Sequence, residues 1–257
     1  MDWRNFIPNE TQVRALLDQK SQAVFDGLVE LTADKPELRQ WLLEVMPDEL
    51  EWITDLSIKA AELLTQRKGP LHLQGLCSIS DAAALALSKH EGLIYLHGTQ
   101  QISQRAVGSL AANKGFLSLK LDGFLSDIAA EALAQHTGGL SLLEITDLSD
   151  AAANYLSQHK SELSLSLTHL NESTAHILAQ HKGILRLDEV KSLSDEAAKG
   201  LAKHRGDLGL NGVRVLSDVA INALVHVKGE VHLCGLSEDD QKSFKRARTD
   251  LAKSLKK

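Results

Sequence analysis

The sequence predicts an α/β solenoid, in which short coils of one strand and one helix stack and each coil covers the apolar face of the next. Three observations predict it. A phrase returns at a nearly constant interval, a leucine stands at one place in every copy, and two apolar residues at alternate positions follow. For example, "LSDEAAKGLAKH" (193–204) closely repeats "LSDIAAEALAQH" (125–136). Units this short cannot bury a core alone, so they must stack.

The repeat defines three parts of the chain. Residues 57–236 form an eight-coil solenoid, residues 1–56 a helical N-terminal cap, and residues 237–257 a C-terminal capping helix. The coils start 23 residues apart, except for one interval of 22, at Ser57, Ser80, Ser103, Ser126, Ser149, Asn171, Ser194 and Ser217.

The first half of each coil predicts a helix. Ser and Asn are good N-caps because their side-chain oxygens accept from free N–H groups in the first turn. An acidic residue follows in six coils, which suits the helix dipole. Small residues such as Ala129 and Ala130 come next, and they let the helix lie close to a sheet. Seven residues after each cap stands Leu64, Leu87, Leu110, Leu133, Leu156, Leu178, Leu201 or Leu224.

The second half predicts a turn and a strand. Twelve residues after the cap, seven of the eight coils have glycine, Ser161 being the exception. This position predicts a left-handed residue that ends the helix. Apolar pairs at alternate positions follow, such as Leu117 and Leu119, and short connections predict parallel strands about 4.8 Å apart.

The phrase LxLxGLxxLSDxAAxALAxHxG resembles the leucine-rich repeats, especially the subtype that often has cysteine where this chain has histidine. The resemblance covers about residues 57–236, with a strand phrase about three residues shorter per turn than that subtype. It implies a right-handed solenoid with a parallel sheet on the concave face and short helices on the convex face. It also implies a protein that binds other proteins on its concave sheet.

A polar column stands two residues before each glycine. We interpret it as a helix-end feature, because polar groups there can pair with the last carbonyls of the helix. The alternative is a metal ladder, although zinc requires ligands that converge on one point. The column reads Arg67, His90, Asn113, His136, His159, His181, His204 and Val227.

The two ends differ from the repeats. Three helices are predicted before the first coil, over 11–31, 35–46 and 47–56, and the three tryptophans (Trp3, Trp41 and Trp52) all lie in this part. It carries a net charge of −7 and is either a cap on the first strand or also an acidic docking module. After the last coil, Phe244, Ala247 and Leu251 share one helical face, which predicts a helix that covers the last strand.

Composition narrows the class of protein. The net charge of −6 argues against nucleic-acid binding, and no apolar run is long enough to span a membrane. The start lacks the pattern of a secretory signal, and two distant cysteines fit neither a metal-ligand pair nor a disulfide framework. We expect a cytoplasmic, bacterial protein without cofactor, metal or membrane. No phosphate loop, nucleophile elbow or zinc-protease motif occurs, so we expect no enzyme.

Side chains around the strand leucines predict the binding face. Tyr95 is prominent because the chain has few aromatic residues, and an exposed tyrosine beside two histidines can anchor a partner. The candidates are His72, Gln74, Tyr95, His97, Lys120, Arg186, Asp188, Asn211 and His232.

Three functions remain open. We expect a non-enzymatic module that binds a protein partner through the concave sheet or the acidic N-terminal cap. One alternative is a protein that binds a metal or small ligand through His72, Tyr95 and His97. The other is a purely structural repeat protein.

Overall fold

The computed structural model describes residues 9–32, 35–47, 50–99, 101–146 and 148–254. Trp3 and residues 255–257 of the predicted C-terminal helix lie outside these ranges. The chain divides into two compact units, Met1–Lys120 (unit 1) and Leu121–Lys257 (unit 2). The boundaries predicted after residues 56 and 236 stay a prediction.

Unit 1 carries parallel strands that come from successive coils. These strands pair in chain order, because Leu71 pairs with Ile94, which pairs with Leu117. Two further short strands, Ser78–Ile79 and Gln101–Ile102, form a second parallel sheet that the repeat pattern does not predict. The helices are α1 (Glu10–Leu17), α2 (Gln22–Thr32), α3 (Pro36–Val45), α4 (Ile58–Leu64), α5 (Asp81–Leu87) and α6 (Gln104–Leu110). The strands are β1 (Leu71–His72), β2 (Ser78–Ile79), β3 (Ile94–Leu96), β4 (Gln101–Ile102) and β5 (Leu117–Gly123), which crosses the unit boundary.

Unit 2 repeats the same arrangement. Its five strands follow one another in chain order and in parallel, with Leu140 beside Leu163 and Leu185 beside Leu208. The helices are α7 (Asp127–Ala134), α8 (Asp150–Ser157), α9 (Glu172–Leu178), α10 (Asp195–Leu201), α11 (Asp218–Leu224) and α12 (Glu238–Ser254). The strands are β6 (Leu140–Ile145), β7 (Leu163–Leu165), β8 (Leu185–Arg186), β9 (Leu208–Gly209) and β10 (Val231–His232).

The predicted leucine-rich-repeat-like α/β architecture is confirmed within both units. The leucines of helix and strand, such as Leu133 and Leu140, are buried, so the core lies between the helices and the sheet. None of the helices in the described part of the chain has the length and apolar character needed to cross a membrane.

The helix starts agree with the prediction in all eight coils. Each predicted Ser or Asn accepts from the backbone N–H three residues later, as Ser149 does from Ala152 at 2.9 Å. Some of the cap hydroxyls have a second role, because Ser149 also donates to the Asp127 carboxylate of the preceding coil at 2.6 Å. Ser217 donates to Asp195 in the same way. The acidic residue of the first turn therefore joins coils as well as suiting the helix dipole.

The N-terminal prediction needs two corrections. The predicted helix over 11–31 is two helices, α1 and α2, separated by a turn in which Lys20 has a positive φ of 46°. Residues 50–56 are not helical, because their backbone continues the stack: the Leu50 N–H donates to the His72 carbonyl of β1, and the Cys77 N–H donates to the Thr54 carbonyl. Apolar spacing alone did not distinguish a helix from a partial coil.

The C-terminal helix is confirmed over the described residues. Ser237 accepts from the Asp240 N–H at 3.2 Å, and Phe244 is buried while Ala247 and Leu251 are half-buried. Arg248 donates from the helix to the carbonyls of Val227 and Gly229. The Arg248 guanidinium of α12 thus donates to carbonyls of the last coil, as residues of the polar column do between coils.

The glycines after the helices are needed mainly because neighbouring coils stack closely there, and less because the backbone is left-handed. Gly69 has the predicted left-handed φ, at 92°, but Gly206 and Gly229 do not. A Cβ on Gly206 would lie 2.0 Å from the carbonyl oxygen of Gly183, and one on Gly229 would lie 2.1 Å from that of Gly206. The left-handed prediction is therefore wrong for these two, because the contact that excludes a side chain comes from the preceding coil.

The polar column is buried between coils and does not cap its own helix as predicted. The Nε2–H of His90 donates to the Gly69 carbonyl of the preceding coil at 2.9 Å. Asn113 donates to the His90 carbonyl and accepts from the N–H of Gly115 at 2.9 Å. The prediction named the wrong carbonyls, because the helix was considered without its neighbour.

In unit 2 the column becomes a stack of imidazoles. The rings of His136, His159, His181 and His204 are nearly parallel, with successive centroids 6.0, 6.2 and 6.3 Å apart. Parallel rings in a row do not converge on one point, so this geometry gives no support to a metal ladder. The described ranges contain no group of three or more His, Cys, Asp or Glu side chains that could hold a metal ion.

Burial favours the neutral form of the two central histidines of this stack, His159 and His181. Burial and the neighbouring imidazoles of His136 and His181 lower the pKa of His159 from 6.5 to about 4, against a smaller effect of the Glu162 and Gly138 backbone. Burial and His204 also lower the pKa of His181. Protonation of His159 or His181 therefore opposes folding.

Replacement of Gly206 by Ala should lower the free energy of unfolding by about 3 kcal/mol or more, because a Cβ would meet backbone that cannot move aside. Gly69→Ala is the matched control. A Cβ at position 69 would have open space around it, and the left-handed backbone is the one source of strain. The expected loss of free energy of unfolding is therefore about 1 kcal/mol. Urea unfolding of both variants measures the difference, and equal losses would contradict the tight backbone contact.

A shift from pH 7 to pH 5 should reduce the free energy of unfolding by about 2 kcal/mol through His159 alone. The unfolded chain takes up this proton near pH 6.5, whereas the folded chain does so only near pH 4, so stability falls as the pH falls. His159→Asn, which copies Asn113, should lose less stability over this interval. Urea unfolding at both pH values tests this, and identical losses in the two proteins would refute it.

Candidate functional site

The predicted binding residues of unit 1 lie on the sheet face opposite the buried leucines. His72 pairs with Tyr95, and Tyr95 pairs with Ser118, each between two strand residues that are buried. Side chains alternate between the two faces of a strand, so those between the leucines point away from the core.

Four rings meet on this face and form what we call the aromatic patch: His72, Tyr95, His97 and Phe116. The His72 and Tyr95 rings stack with centroids 4.7 Å apart and planes 5° from parallel. His97 meets Tyr95 edge-on at 5.8 Å, and Phe116 packs beside it at 6.0 Å. All four are half-buried, so the patch is both packed and accessible.

Polar contacts hold the two histidines in place. The Gln74 amide nitrogen lies 3.4 Å from His72 Nδ1, and His97 Nε2 lies 2.7 Å from the Ser118 hydroxyl. Ser118 itself is buried, so it supports the patch. The structure thus brings His72, Gln74, Tyr95 and His97 together.

Lys120 adds positive charge next to the patch. Burial lowers the pKa of His97, and the charges of His72 and Lys120 lower it further. The imidazole is therefore held in its neutral form, which offers a hydrogen bond and an aromatic surface.

Phe116 is the patch residue that sequence reasoning missed. It stands directly before the strand leucine Leu117, outside the two columns that were read as the binding face. The sequence does contain a signal for this residue, because Phe116 directly precedes a predicted strand and the chain has only five phenylalanines.

The candidates of unit 2 are largely occupied by contacts within that unit. Arg186 forms an ion pair with Glu162 at 2.5 Å, and this bond raises its pKa. The Asp188 carboxylate accepts from the Asn211 N–H at 3.0 Å, and the Asn211 side chain accepts from the Cys234 N–H at 3.1 Å. Asp188 and Asn211 therefore link successive coils.

His232 is the exposed candidate at the end of unit 2. It lines a cavity of about 430 Å³ between β10 and α12, together with Phe244, Lys245 and Arg248. It does not contact Arg186, Asp188 or Asn211 through any hydrogen bond or ion pair found among the described residues. A role in partner binding stays a prediction for all four.

Comparison with known proteins shows a similarity to solved structures. No family model and no curated protein matches the chain. A solved leucine-rich-repeat protein of Leptospira interrogans is similar over 72% of this chain and 58% of its own length, at 16% identity and a TM-score of 0.40. The match thus spans less than two thirds of the Leptospira protein, whose activity and partners are not transferred to this chain.

Lys120→Gln should raise the pKa of His97 toward its ordinary value, because a nearby positive charge is removed. Part of the lowering should remain, since burial is its largest cause. Titration of the imidazole signals by NMR measures the change. Lys89→Gln, on an exposed lysine after α5, is the control, and an equal shift in both variants would contradict the placement of Lys120.

Proposed function

We propose that this chain is a non-enzymatic protein-interaction module that binds a protein partner through the aromatic patch of unit 1 and the adjacent Lys120. The observation that carries the proposal is the stack of His72 on Tyr95, flanked by His97 and Phe116, on the accessible face of the sheet.

The repeat itself does not demand these rings. The strand slot of Tyr95 holds serine in the next three coils, at positions 118, 141 and 164, and those coils have the same strand and helix. Rigid aromatic groups supply much of the binding energy at protein interfaces, and prior packing reduces the entropy lost on binding.

A small ligand or a metal fits the patch less well than a protein does. The His72 and Tyr95 rings cover each other's faces, and His97 Nε2 contacts the Ser118 hydroxyl. No group of three or more metal-binding side chains occurs in the described part of the chain, whereas the half-buried rings form a surface for another protein.

A cytoplasmic location is part of this proposal. Cys77 and Cys234 are exposed and unpaired thiols, which suit a reducing compartment. The acidic N-terminal part is a second surface that the sequence offers to a partner, and no contact of the described residues favours it over the aromatic patch.

The test is quantitative capture of partner proteins from the source cell by purified protein. The double variant Tyr95→Ala and Lys120→Glu should retain about a tenth or less of any specific partner, as expected when an interface loses an aromatic anchor. Tyr155→Ala with Lys89→Glu is the matched control, because it makes the same changes elsewhere. A partner captured equally by all three proteins would contradict the proposed surface.

A further inference from the structure

A second surface lies in unit 2, where the coils turn from helix to strand. Two adjoining cavities of about 680 and 540 Å³ share Gln180 and Lys182 and form one groove. Its rim carries four exposed cations, and no carboxylate is among the described residues that line it. We call this surface the cationic groove, and its cations are Lys160, Lys182, Lys203 and Arg205.

These cations have no counterion within the described part of the chain. None of their side chains takes part in an ion pair or a hydrogen bond there. The nearest carboxylates in sequence are already used, since Glu162 pairs with Arg186 and Asp207 accepts from the Glu230 N–H at 2.8 Å. The positive charge of the groove is therefore available to a ligand.

The histidine stack forms the floor of the groove. His159 lines one cavity and His181 the other, and each side chain is only 1% exposed. The ring nitrogens are buried against backbone, as the Nε2 of His181 is beside Gly183. The rim cations are therefore the groups that this groove offers to an anionic ligand.

The fold does not require this run of cations. A cation after a helix interacts favourably with the negative end of the helix dipole. However, the position directly before the recurring turn holds Glu91 and Thr137 in two coils whose helices are equally regular. In unit 2 the slot is basic in four consecutive coils, at Lys160, Lys182, Arg205 and Lys228.

The spacing of the coils defines the ligand. The imidazole centroids of successive coils stand 6.0 to 6.3 Å apart, and from this interval we infer a similar spacing for the cations that follow each histidine. In an extended peptide, every second side chain points the same way, and such side chains stand about 6.6 Å apart. Carboxylates at alternate positions would therefore each meet one coil.

We propose that the cationic groove binds an extended acidic segment of a protein partner, with Asp or Glu at every second position. The carboxylates pair with the rim cations. This surface is separate from the aromatic patch and does not depend on the function proposed for it.

The experiment measures binding of labelled synthetic peptides by fluorescence anisotropy at low ionic strength. One peptide alternates Glu with Ser, and a second has the same composition with its Glu residues in one block. The alternating peptide should bind about tenfold more tightly, and Lys182→Glu with Arg205→Glu should weaken that binding by about tenfold or more. Lys68→Glu with Lys114→Glu, at the same slot in unit 1, should leave it unchanged.

Circular dichroism of each variant checks that the fold is intact, which is expected for exposed lysine and arginine. Equal binding of the two peptides would overturn the proposal, as would unchanged binding by the Lys182→Glu and Arg205→Glu variant. A single-stranded oligonucleotide is the third ligand. If it binds through the same cations and the alternating peptide does not, the groove is a nucleic-acid site and the proposal is wrong.

Discussion

Direct stacking of one coil's backbone on the next is the constraint on which the rest of the structure depends. At Gly206 and Gly183 the two main chains leave no room for a Cβ. Contacts this close remove water from the carbonyls around them, and buried carbonyls need donors. His90, Asn113 and Arg248 supply such donors from a following segment of the chain. The polar column and the glycine column are thus two consequences of one packing distance.

Features set within a single coil were predictable from the sequence. The N-caps, the buried leucines and the alternating strand residues follow from preferences of a helix or strand taken alone, and they occur where expected. Features that depend on contacts between coils were not predictable in this way. The role of Gly206, the carbonyl that His90 contacts and the path of residues 50–56 all depend on a neighbouring segment. A periodic pattern shows that neighbours exist, but it does not show which atoms meet.

The same distinction applies to the candidate site. The period of two placed His72, Tyr95 and His97 on one face, and the parallel register brought their rings together as the columns implied. Asp188 and Asn211 occupy equivalent slots, yet their oxygens bond backbone N–H groups of the following coil. Short polar side chains can reach the neighbouring main chain, whereas an aromatic ring cannot satisfy it and packs on other rings. Residue type within a slot therefore separates linking residues from surface residues.

Coil spacing also limits what each surface of this protein can recognise. Strand pairing holds neighbouring coils about 4.8 Å apart at the sheet, whereas the imidazoles of unit 2 stand 6.0 to 6.3 Å apart. Within unit 2 the imidazole rings therefore repeat at a wider interval than paired strands do. A ligand that contacts several coils has to match the spacing of the edge that it follows. Alternate side chains of an extended chain repeat at an interval close to that of the imidazole row. Contacts between coils thus set the interval between side chains along each row, while the side chains themselves vary without any change in the core.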